Sequence, residues 1–320
     1  MNNTNTEILY VSIDTEFVEK EFVSLQMVFV KNRKEVEKRI IINKSFLSPS
    51  VTERVDDFCE KAEILFFPED RTDTSLLVVP HIIDFIAENY NEEEISSSKF
   101  TVNLLFFYSF KDLEFCFGFE NLKNYLTLEK PRGNKNWILQ GRSIMGKLKK
   151  ETTIPASGIK FRFRDLKGFA QFGLLELASS LGFQMENKGD LDEYKCRMDL
   201  ALQEHPETFV KYAMGDAEIL YPILNKMMNY TNDILLKSLR LPYFMRFTPH
   251  TMKYSNGSLV ATSFEKYIEY YSCGKPKNWS EYKERKRKVE LAFAKLSVLK
   301  ISSNRYGEYL HFSWKEWRTI

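Results

Sequence analysis

Nine residues near the start, LYVSIDTEF (9–17), leave few folds open. Successive side chains of a strand point to opposite faces, so Leu9, Val11 and Ile13 share one side while Tyr10, Ser12, Asp14 and Glu16 share the other. Two carboxylates then look the same way at the end of a strand. They repel each other unless a positive charge sits between them, and a divalent cation is the usual answer.

Three strands open the chain, at 7–14, 21–30 and 38–43, joined by short polar connections that suggest an antiparallel meander. Residues 51–99 read as an insertion with a helical segment near VPHIIDFIAENY and a polar end at NEEEISSS. VNLLFF (102–107) suits a strand buried on both faces, and Ser109 followed by Asp112 three residues later is a capping pattern that would start a helix. WILQ and IKFRFRD read as strands, FGLLELASSLGF as an amphipathic helix closed by Gly182, and the stretch from Pro206 as a long helix with a bend expected near Pro222. Strands first, then mixed strands and helices, fit an α/β or α+β domain over 1–238, and α/β is the class expected.

The remainder, 239–320, reads as a mostly helical basic extension. NGSLVATSFEKYIEYY is helical, and WSEYKERKRKVELAFAKL crowds Lys283, Arg285, Lys286, Arg287 and Lys288 into two turns. Such a run is a solvated helix face or a phosphate-binding one. The net charge of +2 over 320 residues does not by itself announce a nucleic-acid binder. With 26 Phe and 16 Tyr, the chain has aromatics enough for packing and for base stacking.

Four scattered cysteines exclude a C-x-x-C zinc or redox pair and fit reduced thiols in a cytoplasmic setting. The polar opening MNNTNTEILY lacks the layout of a signal peptide, and no uncharged apolar stretch is long enough for a bilayer, so no membrane association is expected. GRSIMGKL (141–148) misses the phosphate-cradling loop G-x-x-x-x-G-K-[ST] at Leu148, where the magnesium-binding hydroxyl belongs. His205-Pro206-Glu207 lacks the P-C-x-x-C partner of a zinc deaminase, and the four histidines offer no Ser-His-Asp system.

D-x-E recurs at Asp112-Leu-Glu114 and Asp216-Ala-Glu218, so position singles out the first pair. Tyr212 and Asp216 stand four apart on one face of the late helix, with Ala213 and Gly215 keeping the neighbourhood small. Asp112 falls in the first turn of a helix after a buried strand, where capping alone would stabilise it. Taken in order, IDTEF (13–17), FKDLEF (110–115) and YAMGDAEILYPI (212–223) resemble the motifs of the DEDD exonuclease superfamily, tyrosine subtype.

The resemblance implies a ribonuclease H-like mixed sheet flanked by helices, and two Mg²⁺ or Mn²⁺ ions for hydrolysis from a 3′ end. It places Asp14, Glu16 and Asp216 on one metal and Asp14 and Asp112 on the other, with Tyr212 orienting the attacking water. In the second motif Tyr108 and Lys111 stand where the family commonly has Asn and Phe, while Asp112 to Phe115 keeps D-x-x-F. Asp165 in FRFRDLKGF is a rival for the same role. The order FRDLKGF, LLELASSLG, YAMGD, TMKYSNGSLVATSFEKYI looks like the exonuclease portion of protein-primed family B DNA polymerases of linear plasmids and phages, without the polymerase motifs. YAMGDAEILYPI equally resembles ribonuclease D-like exonucleases. The expected partner is single-stranded DNA, with RNA as the alternative and replication proteins as further candidates. Phe107, Tyr108, Phe110 and Phe115 are candidates for stacking on terminal bases, and Lys283, Arg285, Lys286 and Arg287 for contacting phosphates. The rival from another class is a non-catalytic strand-binding or structural remnant of a polymerase.

Overall fold

A computed structural model describes residues 8–19, 21–57, 62–67, 78–91, 94, 100–107, 112, 126–129, 145–148, 160–170, 172–186, 188–248, 251–253 and 256–297. The opening meander is present as β1 (Ile8–Val18), β2 (Glu21–Lys31) and β3 (Lys34–Asn43), antiparallel in sequence order. Asn32 and Arg33 turn the second hairpin with φ of 52° and 68°. Both central residues being left-handed makes it the turn whose twist matches its strands.

Residues 51–99, read from sequence as an insertion, supply elements to the main sheet and its core. After α1 (Pro49–Asp57), β4 (Glu63–Phe67) joins β3 in parallel at the sheet edge. The apolar residues of α2 (Val78–Asn89) recur at helical spacing, and Ile82, Phe85 and Ile86 are fully buried. They pack on the odd-numbered face of β1, against Leu9, Val11 and Ile13, with Leu25, Met27 and Phe29 of β2 in the same cluster. The Phe29 and Phe85 rings stack at 4.3 Å. Each such fully buried side chain contributes roughly 1.5–3 kcal/mol.

β5 (Thr101–Phe106) is buried along its whole length, as an apolar run inside a parallel arrangement must be. It runs parallel to β1 on one side and to β8 (Lys160–Asp165) on the other. β6 (Leu126–Glu129) and β7 (Met145–Leu148) complete an eight-stranded mixed sheet of order β4-β3-β2-β1-β5-β8-β7-β6. Gly146 and Lys147 thus pair with Phe161 and Lys160 in a strand. A phosphate-cradling loop must turn into a helix there, so the near-match at GRSIMGKL is not one.

After β8, a 3₁₀ turn (Leu166–Phe169) leads to α3 (Leu174–Ser180), α4 (Met198–Glu204) and α5 (Pro206–Asp233). Gly182 closes α3 as expected, at φ 78°, where Phe183 N–H reaches the Ala178 carbonyl. α5 starts on Pro206, carries Glu207 in its first turn and continues through Pro222 for 28 residues. Phe209, Ala213, Ala217, Leu220 and Leu224 form its buried stripe. The Tyr10 and Tyr221 rings meet at 5.1 Å, so α5 covers the even-numbered face of β1, the face that carries Asp14 and Glu16.

The chain divides into two compact units, Met1–Asp233 with Phe247–Ala261, and Ile234–Arg246 with Thr262–Ile320. In the second, α6 (Asn256–Ser272) from Thr262 onward and α7 (Trp279–Ser297) form a helical hairpin. Both helices lie where the sequence predicts them. Among the described residues no helix is long and apolar enough to cross a membrane.

Candidate metal centre

The centre begins with the pleat of β1. Asp14 lies opposite Gln26 and Glu16 opposite Ser24, and the register shifts just after Glu16, before the last pairs of the hairpin. From α5, Asp216 reaches the same place. One oxygen each from Asp14, Glu16 and Asp216 lie within 4.8 Å of one another. That is close to the width of one cation's oxygen shell, roughly 4–5 Å between opposite ligands. Glu16 and Asp216 are each only 9% exposed. The sequence motifs therefore bring three acids together from positions about 200 residues apart.

Asp112, the fourth expected acid, stands beside this group and outside it. Its Oδ1 accepts a hydrogen bond from Thr15 Oγ1 at 2.8 Å, and its Oδ2 is buried with no hydrogen-bond partner among the described residues. Asp112 is still near enough for its charge to act on Asp14 and Glu16. The rival Asp165 caps the turn after β8, accepting the Lys167 N–H at 2.9 Å. Glu218, the second acid of the D-x-E in α5, turns instead to Lys38 of β3 at 2.7 Å. Tyr108, Phe110 and Phe115 lie outside the described residues. Phe107 lines a cleft of about 380 Å³ together with Asp14, Asp216, Lys188, Leu174 and Leu175.

Lys188 is the residue the sequence did not reveal. Its ammonium pairs with Asp216 Oδ2 and lies 4.1 Å from the centre of the Tyr212 ring. In NKGDLDE it reads as one more surface lysine, and no local spacing ties it to Asp216, 28 residues on. Thr15 was missed for the same reason: its partner lies 97 residues away.

Burial, before any neighbouring charge, raises every acid here. Asp14 is held well above the usual carboxylate range by burial, then by Asp216, Asp112 and Glu16, against which Lys188 works. Burial and Asp216 push Glu16 up to about 8. Burial likewise pushes Asp112 up to about 8, although the Thr15 hydrogen bond opposes the shift. Asp216 is raised by burial despite Lys188. Burial would lower Lys188, but its attraction to Asp216 wins and its pKa rises. Tyr212 is raised by burial, so its phenol keeps its proton at neutral pH.

With all groups ionised, three carboxylates face one ammonium and lack two positive charges, the charge of one divalent ion. Asp216 Oδ1 is buried and without a hydrogen-bond partner among the described residues, as a free ligand lone pair would be. The donor set is all oxygen, which suits hard divalent cations. This cluster could hold a metal ion.

In the second unit, Arg285 donates to the Cys273 and Gly274 carbonyls at 2.9 Å each, at the end of α6, and also pairs with Glu281. Lys286 pairs with Glu269 at 2.7 Å. Those two cations of the basic run hold the hairpin together, while Lys283 and Arg287 are exposed. Comparison with known proteins adds no identification: no protein-family model matches the chain, and no curated protein matches it either.

Proposed function

We propose that the chain is a metal-dependent 3′-5′ exonuclease that hydrolyses single-stranded DNA on a ribonuclease H-like fold. The observation that carries this reading is the convergence of one oxygen each from Asp14, Glu16 and Asp216 within 4.8 Å, with Glu16 and Asp216 each 9% exposed. The mixed sheet with helices on its faces supports the fold assignment. Mg²⁺ or Mn²⁺ suits the all-oxygen ligand set; Asp14, Glu16 and Asp216 would hold one ion and Asp14 and Asp112 a second.

Bound there, divalent ions would supply the Lewis acidity that activates a water and the positive charge that offsets the anionic transition state of hydrolysis. The chain's own residues supply the rest. Tyr212, protonated and buried, positions the water by hydrogen bonding and does not act as a base. Lys188 lies within the cleft beside Asp216, where its ammonium is placed to meet a phosphate oxygen of the substrate. Thr15 fixes the rotamer of Asp112. The 3′ polarity and the preference for DNA rest on the resemblance to polymerase-associated exonucleases, which also suggests replication proteins as partners.

A second reading draws on the Lys188–Asp216 pair and on Asp112 standing apart. A centre partly neutralised from within would bind strands without cutting them. Purified protein mixed with 3′- and 5′-labelled DNA and RNA strands, with and without Mn²⁺, separates the two. Metal-dependent shortening from the 3′ end, lost in Asp14→Ala and Asp216→Ala, is the expected result. Binding without shortening in any metal overturns the enzyme reading, and shortening of RNA alone moves the substrate to RNA.

A further inference from the structure

We infer that the second unit carries its own binding surface for single-stranded nucleic acid, in which Tyr243 and Trp279 stack on bases while Arg246 and Lys283 meet the flanking phosphates.

Charge is the first support. Ile234–Arg246 and Thr262–Ile320 contain 16 Lys and Arg against 7 Asp and Glu, a balance of +9. The other unit has 30 against 37, a balance of −7, so the chain's total of +2 conceals two oppositely charged parts. A unit this basic attracts polyanions.

Exposed rings held in place are the second. Tyr243 is 67% and Trp279 47% exposed. Trp279 is stacked on Tyr282 at 5.1 Å and 24°, and Phe244, next in the chain to Tyr243, backs it at 6.0 Å. Phe244 packs in turn on Tyr270 and Tyr282, and the Tyr282 hydroxyl donates to Glu269. Trp279 is therefore oriented from behind, and a base stacking on its open side costs little side-chain entropy.

The placing of the cations is the third. The Arg246 guanidinium lies 3.7 Å from the Tyr243 ring centre and the Lys283 ammonium 5.4 Å from that of Trp279. Exposed rings that each hold a cation against the ring fit a strand whose bases are free and whose phosphates alternate with them. A duplex hides its base faces, and an uncharged partner would leave the cations unused. Arg285 and Lys286, bound within the hairpin, are not needed for this surface.

The test uses the full chain carrying Asp14→Asn, in EDTA, so that nothing is cleaved and the outcome does not depend on the exonuclease reading. Fluorescence anisotropy measures the affinity for a labelled oligothymidylate, for the same strand in a duplex, and for an abasic strand of equal length. Tyr243→Ala and Trp279→Ala should each weaken oligothymidylate binding roughly 5- to 150-fold and leave the abasic strand unaffected. Trp279→Phe should retain most of the affinity, and Lys283→Ala should lower the salt slope by about 1. Circular dichroism confirms folding, and Tyr243, the more exposed ring, gives a variant whose fold is safe. Unchanged affinity in both ring variants, or an equal loss on the abasic strand, overturns the proposal. So does a shift of self-association by Trp279→Ala without an effect on the oligonucleotide, which would make the rings a protein interface.

Discussion

Removing one carboxylate from the centre should make the metal-free protein more stable. Burial carries Glu16 from an ordinary 4.5 up to about 8. A carboxyl whose folded pKa exceeds its unfolded one binds more protons in the native state than in the unfolded state. Its contribution therefore falls as the pH climbs from about 4.5 to about 8 and stays low above that. At about 1.4 kcal/mol for each pH unit crossed, the loss over this window is roughly 4–5 kcal/mol. Glu16→Gln keeps the shape and removes the charge, at the expense of some attraction to Lys188. We expect a net gain of about 2 kcal/mol at pH 8.5 and little change at pH 5. Urea unfolding in EDTA at the two pH values reads this as a raised midpoint with an unchanged slope. Adding Mn²⁺ should reverse the order, because an ion bound only to the folded wild type at 100 times its Kd stabilises it by about 2.7 kcal/mol. Wild-type stability that is flat between pH 5 and 8.5, with Glu16→Gln weaker at both, would refute the buried charge crowding on which the site rests.

Thr15→Val leaves Asp112 Oδ1 without its 2.8 Å donor and should cost about 1–3 kcal/mol in urea unfolding at pH 8.5; no cost would show that the bond does not hold Asp112. Lys188→Met removes the ammonium that competes for Asp216, so calorimetric titration should show tighter Mn²⁺ binding, and unchanged affinity would mean that the pair does not occupy the ion's place. Gly215→Ala should raise stability by about 0.5–1 kcal/mol, since a Cβ there meets nothing within 4 Å and glycine weakens a helix interior. Phe85→Ala should cost about 3–5 kcal/mol by opening the core under β1, and a cost below 1 kcal/mol would contradict the packing of α2 on the sheet.

What the sequence disclosed follows from how far each signal reaches along the chain. Alternation marks β1, largely apolar runs mark β2 and β5, and apolar residues three and four apart mark α5, because each pattern is written locally. β4, with five residues, and β6 and β7, with four each, are too short to show a period. α1 and α4 are short helices whose burial comes from neighbours supplied elsewhere in the chain. Gly215 does not keep a crowded neighbourhood small, since the space beside it is open. The acids could be found because their types and order are distinctive. Lys188 and Thr15 could not, since each matters only through a partner that folding brings to it.

The acidic centre also explains why its surroundings must be rigid. Like charges held within 4.8 Å push apart, so a loose scaffold would relieve the repulsion by letting them separate. Here Asp14 and Glu16 are fixed in a strand paired with β2 at their own positions and anchored to β5 just before them, over Ile8–Ser12, with an apolar core on its other face. Asp216 sits in a 28-residue helix whose stripe from Phe209 to Leu224 is buried against that sheet. Packing that supplies many kcal/mol along both elements can hold three carboxylates together at a local cost of a few. The same burial that raises their pKa values strengthens their attraction to a divalent ion, since both effects come from the scarcity of water around the charges. A substitution that softens the core beneath β1, such as Phe85→Ala, should therefore weaken Mn²⁺ binding although it touches none of the acids. Titration of that variant at a temperature where it remains folded checks this, and undiminished affinity would show that the acids keep their places without the core's support.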